Sequence, residues 1–157
     1  QRELEHAAIT RHLVVAGGDQ GGKAMFEDGA AAGGWTDRLH LVGEIRGARK
    51  AQIFRDCACF VLPSRHEGFS IAITEALGWG RPVVITEQCH FPEVASEGCG
   101  AVVELTPAAI ARGLIDTLDD PEAAEAMGER GRALVLSRYR WSAIAERTIN
   151  LYQDVCP

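Results

Sequence analysis

Short apolar runs return along this chain, each followed by a longer stretch with helical spacing. His12–Gly18, Leu39–Ile45, Cys59–Pro63, Pro82–Thr86 and Gly100–Leu105 are rich in valine, isoleucine or leucine. None shows a clear polar alternation, the pattern of strands buried on both faces. Helical segments separate them, over residues 22–32, 48–57, 69–79 and 107–119. An alternation of this kind predicts parallel strands with helices packed against them, because the crossover between parallel strands needs a long connection. The expectation is one α/β unit built on a doubly wound, Rossmann-like parallel sheet.

The C-terminal third reads as helix. Thr106-Pro107 and Asp120-Pro121 each set a capping side chain before a proline, whose missing N–H is not needed in the first turn. From Trp141 onward Ile144, Ala145, Ile149, Tyr152 and Val155 recur at helical spacing, a stripe expected to serve in core or interdomain packing.

The composition narrows the function. A formal net charge of −6 over 157 residues argues against a nucleic-acid binder, which would carry a basic stripe. The cysteines Cys57, Cys59, Cys89, Cys99 and Cys156 match no zinc spacing and read as reduced thiols, which points to the cytoplasm. No apolar stretch is long enough to span a bilayer and no secretory signal is visible, so the chain is expected to be cytoplasmic, with a membrane-peripheral place open to the whole protein.

The stretch richest in chemistry is Val61–Thr86, VLPSRHEGFSIAITEALGWGRPVVIT. A strand ends at Pro63, a polar loop follows, and a helix is expected to open near Phe69. In open α/β sheets ligands bind beyond the carboxyl ends of strands, where this loop lies. Gly68 would let a ligand approach the backbone, and the N–H groups of Phe69, Ser70 and Ile71 would point out of the helix N-terminus. Such a terminus attracts phosphate or sugar oxygens. Glu67 lies in the loop and Glu75 in the helix, with seven residues between them. Glu75 stands among Ile71, Ala72, Ile73, Ala76, Leu77 and Trp79, so its carboxylate needs hydrogen-bond donors, and the paired hydroxyls of a ribose would supply them.

This run resembles the E-x7-E motif of retaining glycosyltransferases with the GT-B fold, especially glycosyltransferase family 4. The resemblance covers nearly the whole chain: Val14–Gly18, Leu41-Val42-Gly43, Pro63-Ser64, Glu75-Ala76-Leu77, Gly80-Arg81-Pro82-Val83-Val84, Phe91-Pro92-Glu93-Val94 and Tyr139-Arg140-Trp141. It implies the C-terminal, donor-binding half of a GT-B enzyme. That half would support transfer of a sugar, with retention of configuration, from a nucleotide diphosphate-sugar to an acceptor hydroxyl. Glu67 would contact the donor sugar near its reacting end and Glu75 the ribose hydroxyls. The amides of Gly68, Phe69, Ser70 and Ile71 would hold sugar and diphosphate oxygens. Gly17, Gly18, Gly43 and Glu44 would lie beside base and ribose, chiefly through backbone. The resemblance implies no metal and no cofactor beyond the donor itself, basic side chains and the helix terminus offsetting the diphosphate charge.

Two departures from the pattern stand out. Ser70 occupies a position where family members often have glycine or proline. The arginine and lysine that bind the diphosphate usually follow the first strand of this domain, which would precede Gln1. Arg2, Arg46, Arg49 and Lys50 do not replace them by position. That first strand and an N-terminal acceptor-binding domain are expected to be missing from a chain that begins at Gln1. The 157 residues alone would then bind nucleotide-sugars weakly, transfer no sugar, and self-associate through an open sheet edge or the C-terminal helix.

Blander readings stand beside these. Glu67 taken alone is a solvated loop carboxylate, and Glu75 could instead cap loop amides as a structural acid. His66 reads as a loop residue at the cleft edge rather than a base, since nothing in the sequence orients it. Gly17–Gly22 has the spacing GGxxGG, not the GxGxxG of dinucleotide binding, and Ser64 and Ser70 lack a GxSxG elbow. A GT-B sugar-nucleotide epimerase and a nucleotide-binding module without chemistry remain as alternative functions.

Overall fold

A computed structural model describes residues 11–155, so Arg2 and Cys156 lie outside the described residues. The chain divides into two compact units, Gln1–Ile53 and Phe54–Pro157.

In the first unit β1 (Leu13–Ala16) pairs in parallel with β2 (Leu39–Gly43), setting Leu13 opposite Leu39 and Val15 opposite Leu41. The crossover is α1 (Lys23–Gly33) followed by a 3-10 turn at Thr36–Arg38. Helix α1 stops where Gly34 takes φ 71°, and its N–H returns to the carbonyls of Ala30 and Ala31. Trp35 folds back beneath the helix end, where a side chain at Gly33 would strike its indole. The expectation of strands buried on both faces fails for β1. Leu13 and Val15 are half-buried while Val14 is 44% exposed. The side-chain alternation of a half-solvated strand thus appears despite the apolar sequence.

In the second unit three parallel strands run in the order β3 (Phe60–Leu62), β4 (Val83–Thr86), β5 (Gly100–Val103). Val84 faces Val61 on one side and Ala101 on the other, and every residue of β4 is buried. The boundary between the units falls within α2 (Gly47–Asp56). Helix α3 (Ile71–Gly78) connects β3 to β4, and the short α4 (Glu93–Ser96) leads into β5. Beyond β5 come α5 (Pro107–Leu118), α6 (Pro121–Arg138) and α7 (Trp141–Val155).

The core gathers Ile73 and Leu77 of α3, Val83 and Ile85 of β4, Val94 of α4, Cys99 and Leu134 of α6. Helix α6 approaches α3 closely because Gly128 abuts the carbonyl of Gly80 and Gly131 abuts Leu77. The expected caps form. Thr106 accepts from the Ala109 N–H at 3.2 Å, and Asp120 from the N–H groups of Glu122 and Ala123 at 2.9 and 3.1 Å.

All strand pairs are parallel, as the alternation required, β1 with β2 in the first unit and β3-β4-β5 in the second. Apolar runs announce strands one at a time; which strand lies beside which is settled by hydrogen bonding between distant segments. Helix α7 also differs from a core element. None of its residues is buried, and Trp141, Ile149, Leu151, Tyr152 and Val155 of its apolar stripe face solvent.

Candidate functional site

The segment between β3 and α3 is held by the turn that follows β4. The buried Thr86 hydroxyl donates to the Ser64 carbonyl at 2.6 Å, and the Cys89 thiol to the Leu62 carbonyl at 3.6 Å. Three residues beyond Ser64, the Glu67 N–H donates to the Gln88 carbonyl at 3.1 Å. The Glu67 carbonyl in turn accepts from His90 Nδ1 at 3.3 Å. Glu67 itself is half-buried, between exposed His66 and Gly68. The loop is also braced internally, with the Ser64 hydroxyl donating to the His66 carbonyl at 3.0 Å.

Helix α3 begins at Ile71, two residues later than the sequence suggests. Ser70 is its N-cap, with an extended backbone (φ −91°, ψ 107°), and is 6% exposed. The amides left over at the start of the helix are therefore those of Ile71, Ala72 and Ile73; Phe69 and Ser70 belong to the approach. The Ser70 side chain makes no capping bond, so it does not occupy that terminus as a serine usually would. Phe69 is 55% exposed, and its ring leans on Phe91 and Tyr139 with centroids 6.0 and 5.8 Å away. Tyr139 closes this group by donating its hydroxyl to Glu93 at 3.2 Å. Burial, and then the charge of Glu93, push the Tyr139 phenol above its ordinary range. Three stretches far apart in sequence thus meet around one loop: Gly68-Phe69, Phe91-Pro92-Glu93 and Tyr139.

Glu75 lies one turn into α3, half-buried, with its Oε2 fully shielded from solvent. Ile73, Ala76 and Leu77 on the same helix are completely buried, so they set the helix rotation that places Glu75 at the margin of the core.

Gly17, Gly18, Gly43 and Glu44 lie in the first unit and form their own cluster at the carboxyl ends of β1 and β2. The Gly17 N–H donates to the Gly43 carbonyl at 2.9 Å, with Gly43 at φ 67°, a conformation open to glycine without strain. A side chain at Gly18 would sit 3.4 Å from the Glu44 carboxylate, which pairs with Arg46 at 3.2 Å. Asp19 caps the loop that leads to α1, accepting from the Gly21 and Lys23 N–H groups at 2.8 and 3.2 Å. Those bonds pull its carboxyl below the ordinary range.

Sequence reasoning missed Thr86, Gln88 and His90. It also left His66 without an orienting partner, whereas the His66 ring stands edge-on to His90 with centroids 6.1 Å apart. Cys57, Cys59, Cys89 and Cys99 are free thiols, and burial pushes Cys59 up to about 12. Among the described residues no group of three or more His, Cys, Asp or Glu is placed to hold a metal, and no helix is long and apolar enough to cross a membrane.

This arrangement has relatives. Residues 3–134 match the family described as glycosyl transferases group 1, and the chain belongs to that family. Alpha-maltose-1-phosphate synthase from Mycobacterium tuberculosis is 30% identical over 130 residues, covering 78% of this chain and 32% of its own. Sucrose-phosphate synthase from Thermosynechococcus elongatus has a similar structure, with a TM-score of 0.81 and 26% identity over 98% of this chain and 41% of that one. Anabaena HepE, solved in complex with UDP, gives a TM-score of 0.81 at 17% identity, covering 98% of this chain and 45% of that one. The α/β fold with parallel sheets is thus that of GT-B glycosyltransferases. The chain spans about a third of the length of the curated relatives it matches.

Proposed function

We propose that this chain binds the donor in a retaining glycosyltransferase, which moves a sugar from a nucleotide diphosphate-sugar to an acceptor hydroxyl. The observation that carries the reading is the pairing of Glu67 with a helix N-terminus that no side chain caps. An uncapped terminus offers amides and a partial positive charge to diphosphate oxygens, without a metal. Gly68 fits the same purpose. It is exposed and a Cβ there would touch nothing within 4 Å, so packing within the fold does not call for its missing side chain.

In this reading the bond between the anomeric carbon and the diphosphate oxygen breaks as the acceptor oxygen bonds to the same carbon. The acceptor proton passes to the departing phosphate oxygen. The α3 amides stabilise the charge developing on the leaving group, which matters more in the transition state than in the bound donor. Glu67 faces the sugar, and Glu75 accepts from ribose hydroxyls. In the first unit, taken by itself, Gly17, Gly18 and Gly43 offer backbone contacts to a nucleoside, with Glu44 beside them. No cofactor besides the donor is required, and a cytoplasmic location suits the free thiols.

The test is sugar transfer by the complete protein, after a thermal-shift screen against nucleotide-sugars has picked the donor. Glu67→Ala should lower turnover far more than it weakens nucleoside diphosphate binding, because the contact is to the sugar. Unchanged turnover in that variant would remove Glu67 from the mechanism. A protein that binds a nucleotide-sugar and transfers nothing to any acceptor would instead be a binding module.

A further inference from the structure

Neither backbone polar group of Glu67 finds its partner within its own loop. The N–H goes to Gln88 and the carbonyl to the His90 ring, both in the turn after β4. The peptide that follows leads into Gly68, which is exposed and packed against nothing at its Cβ position. A glutamate before such a glycine would otherwise sample many orientations. His90 is also the one non-glycine among the described residues with positive φ, at 50°. Glycine or asparagine adopts that conformation more readily. A histidine there supplies what glycine cannot, a ring that donates to Glu67 and stands against His66.

We propose that His90 is a positioning residue for Glu67, its ring holding the Glu67 peptide so that the carboxylate is presented in one place. The proposal rests on the reading of Glu67 as the group that faces the sugar. A carbonyl can only accept, so the bond requires a proton on Nδ1, and the neutral ring must be the Nδ1–H tautomer. With the Gln88 carbonyl accepting from its N–H, Glu67 is held through the peptide groups on both sides of it, and the grip lies outside the atoms that touch the donor.

Two measurements test this. In the 157-residue chain, nitrogen chemical shifts of the His90 ring at about pH 8, above the ordinary imidazole range, should show Nδ1 protonated and Nε2 bare. An Nε2–H ring would overturn the proposal. In the complete protein, with UDP-glucose and GDP-mannose as donor probes, His90→Gly should lower kcat about tenfold or more while donor KM stays within about twofold. Its melting temperature should hold or rise, since glycine suits φ 50°. His90→Asn, which tolerates the same backbone and offers an amide donor, should recover part of the rate. Wild-type kcat in His90→Gly beside an inactive Glu67→Ala would sink the His90 role and leave Glu67 standing. Wild-type turnover in Glu67→Ala would sink both. A His90→Gly protein that melts early and loses binding and rate together would make the turn a folding element instead.

Discussion

The hydroxyl of Thr86 lies 2.6 Å from the carbonyl oxygen of Ser64, tying the carboxyl end of β4 to the carboxyl end of β3. Thr86 is 1% exposed, so this bond is made away from water and sits directly below the loop that carries Glu67. Thr86→Val keeps the shape and removes the donor. It should cost about 1–2 kcal/mol, the range for a buried hydrogen bond lost with its acceptor left behind. A urea midpoint unchanged from wild type would show that the Ser64 carbonyl finds another donor.

Glu75 is expected to act through its carboxylate oxygens on a ribose. Glu75→Ala in the complete protein should weaken nucleoside diphosphate binding by roughly 1.5–3 kcal/mol, as hydrogen bonds to a charged group would. A 2′,3′-dideoxy nucleotide should be nearly insensitive to the substitution. Calorimetry showing equal losses for ribose and dideoxyribose ligands would make Glu75 a structural acid of α3.

Gly128 is where α6 meets the turn after α3, and a Cβ there would collide with the carbonyl of Gly80. The obstacle is backbone, which cannot rotate aside. Gly128→Ala should therefore destabilise the second unit by about 1–3 kcal/mol, as overpacking does, against the small gain alanine brings to an exposed helix. A thermal midpoint at or above wild type would mean that α6 shifts freely along α3.

Tyr139 gives an alkaline signature. Its phenol is raised by burial and by Glu93, so the folded protein keeps the proton at pH values where the unfolded chain has released it. The unfolded state then binds fewer protons, and stability falls as pH climbs above roughly 10, the ordinary tyrosine value. Below that value the contribution is fully present. Tyr139→Phe should flatten this part of the pH–stability curve. It should also give up the bond to Glu93 at neutral pH. Parallel curves for the two proteins above pH ~10 would exclude Tyr139 as the titrating group.

The sequence by itself determined whatever depends on near neighbours. The five strands and the helices α1 to α3 and α5 to α7 follow from apolar runs and helical spacing, while the short α4 carried no such signal. The caps at Thr106 and Asp120 follow from a side chain placed before a proline. Motif order along the chain was enough to indicate the glycosyltransferase family, because it is a property of the linear sequence. Tertiary structure decided the rest. It opened α3 at Ile71 because Ser70 is extended and buried, and it set β4 between β3 and β5. It also bound Glu67 to Gln88 and His90, more than twenty positions away. Such bonds leave no periodicity to read, since backbone amides and carbonyls are common to almost every residue. Only the packing of β3 beside β4 brings the two loops within reach of each other.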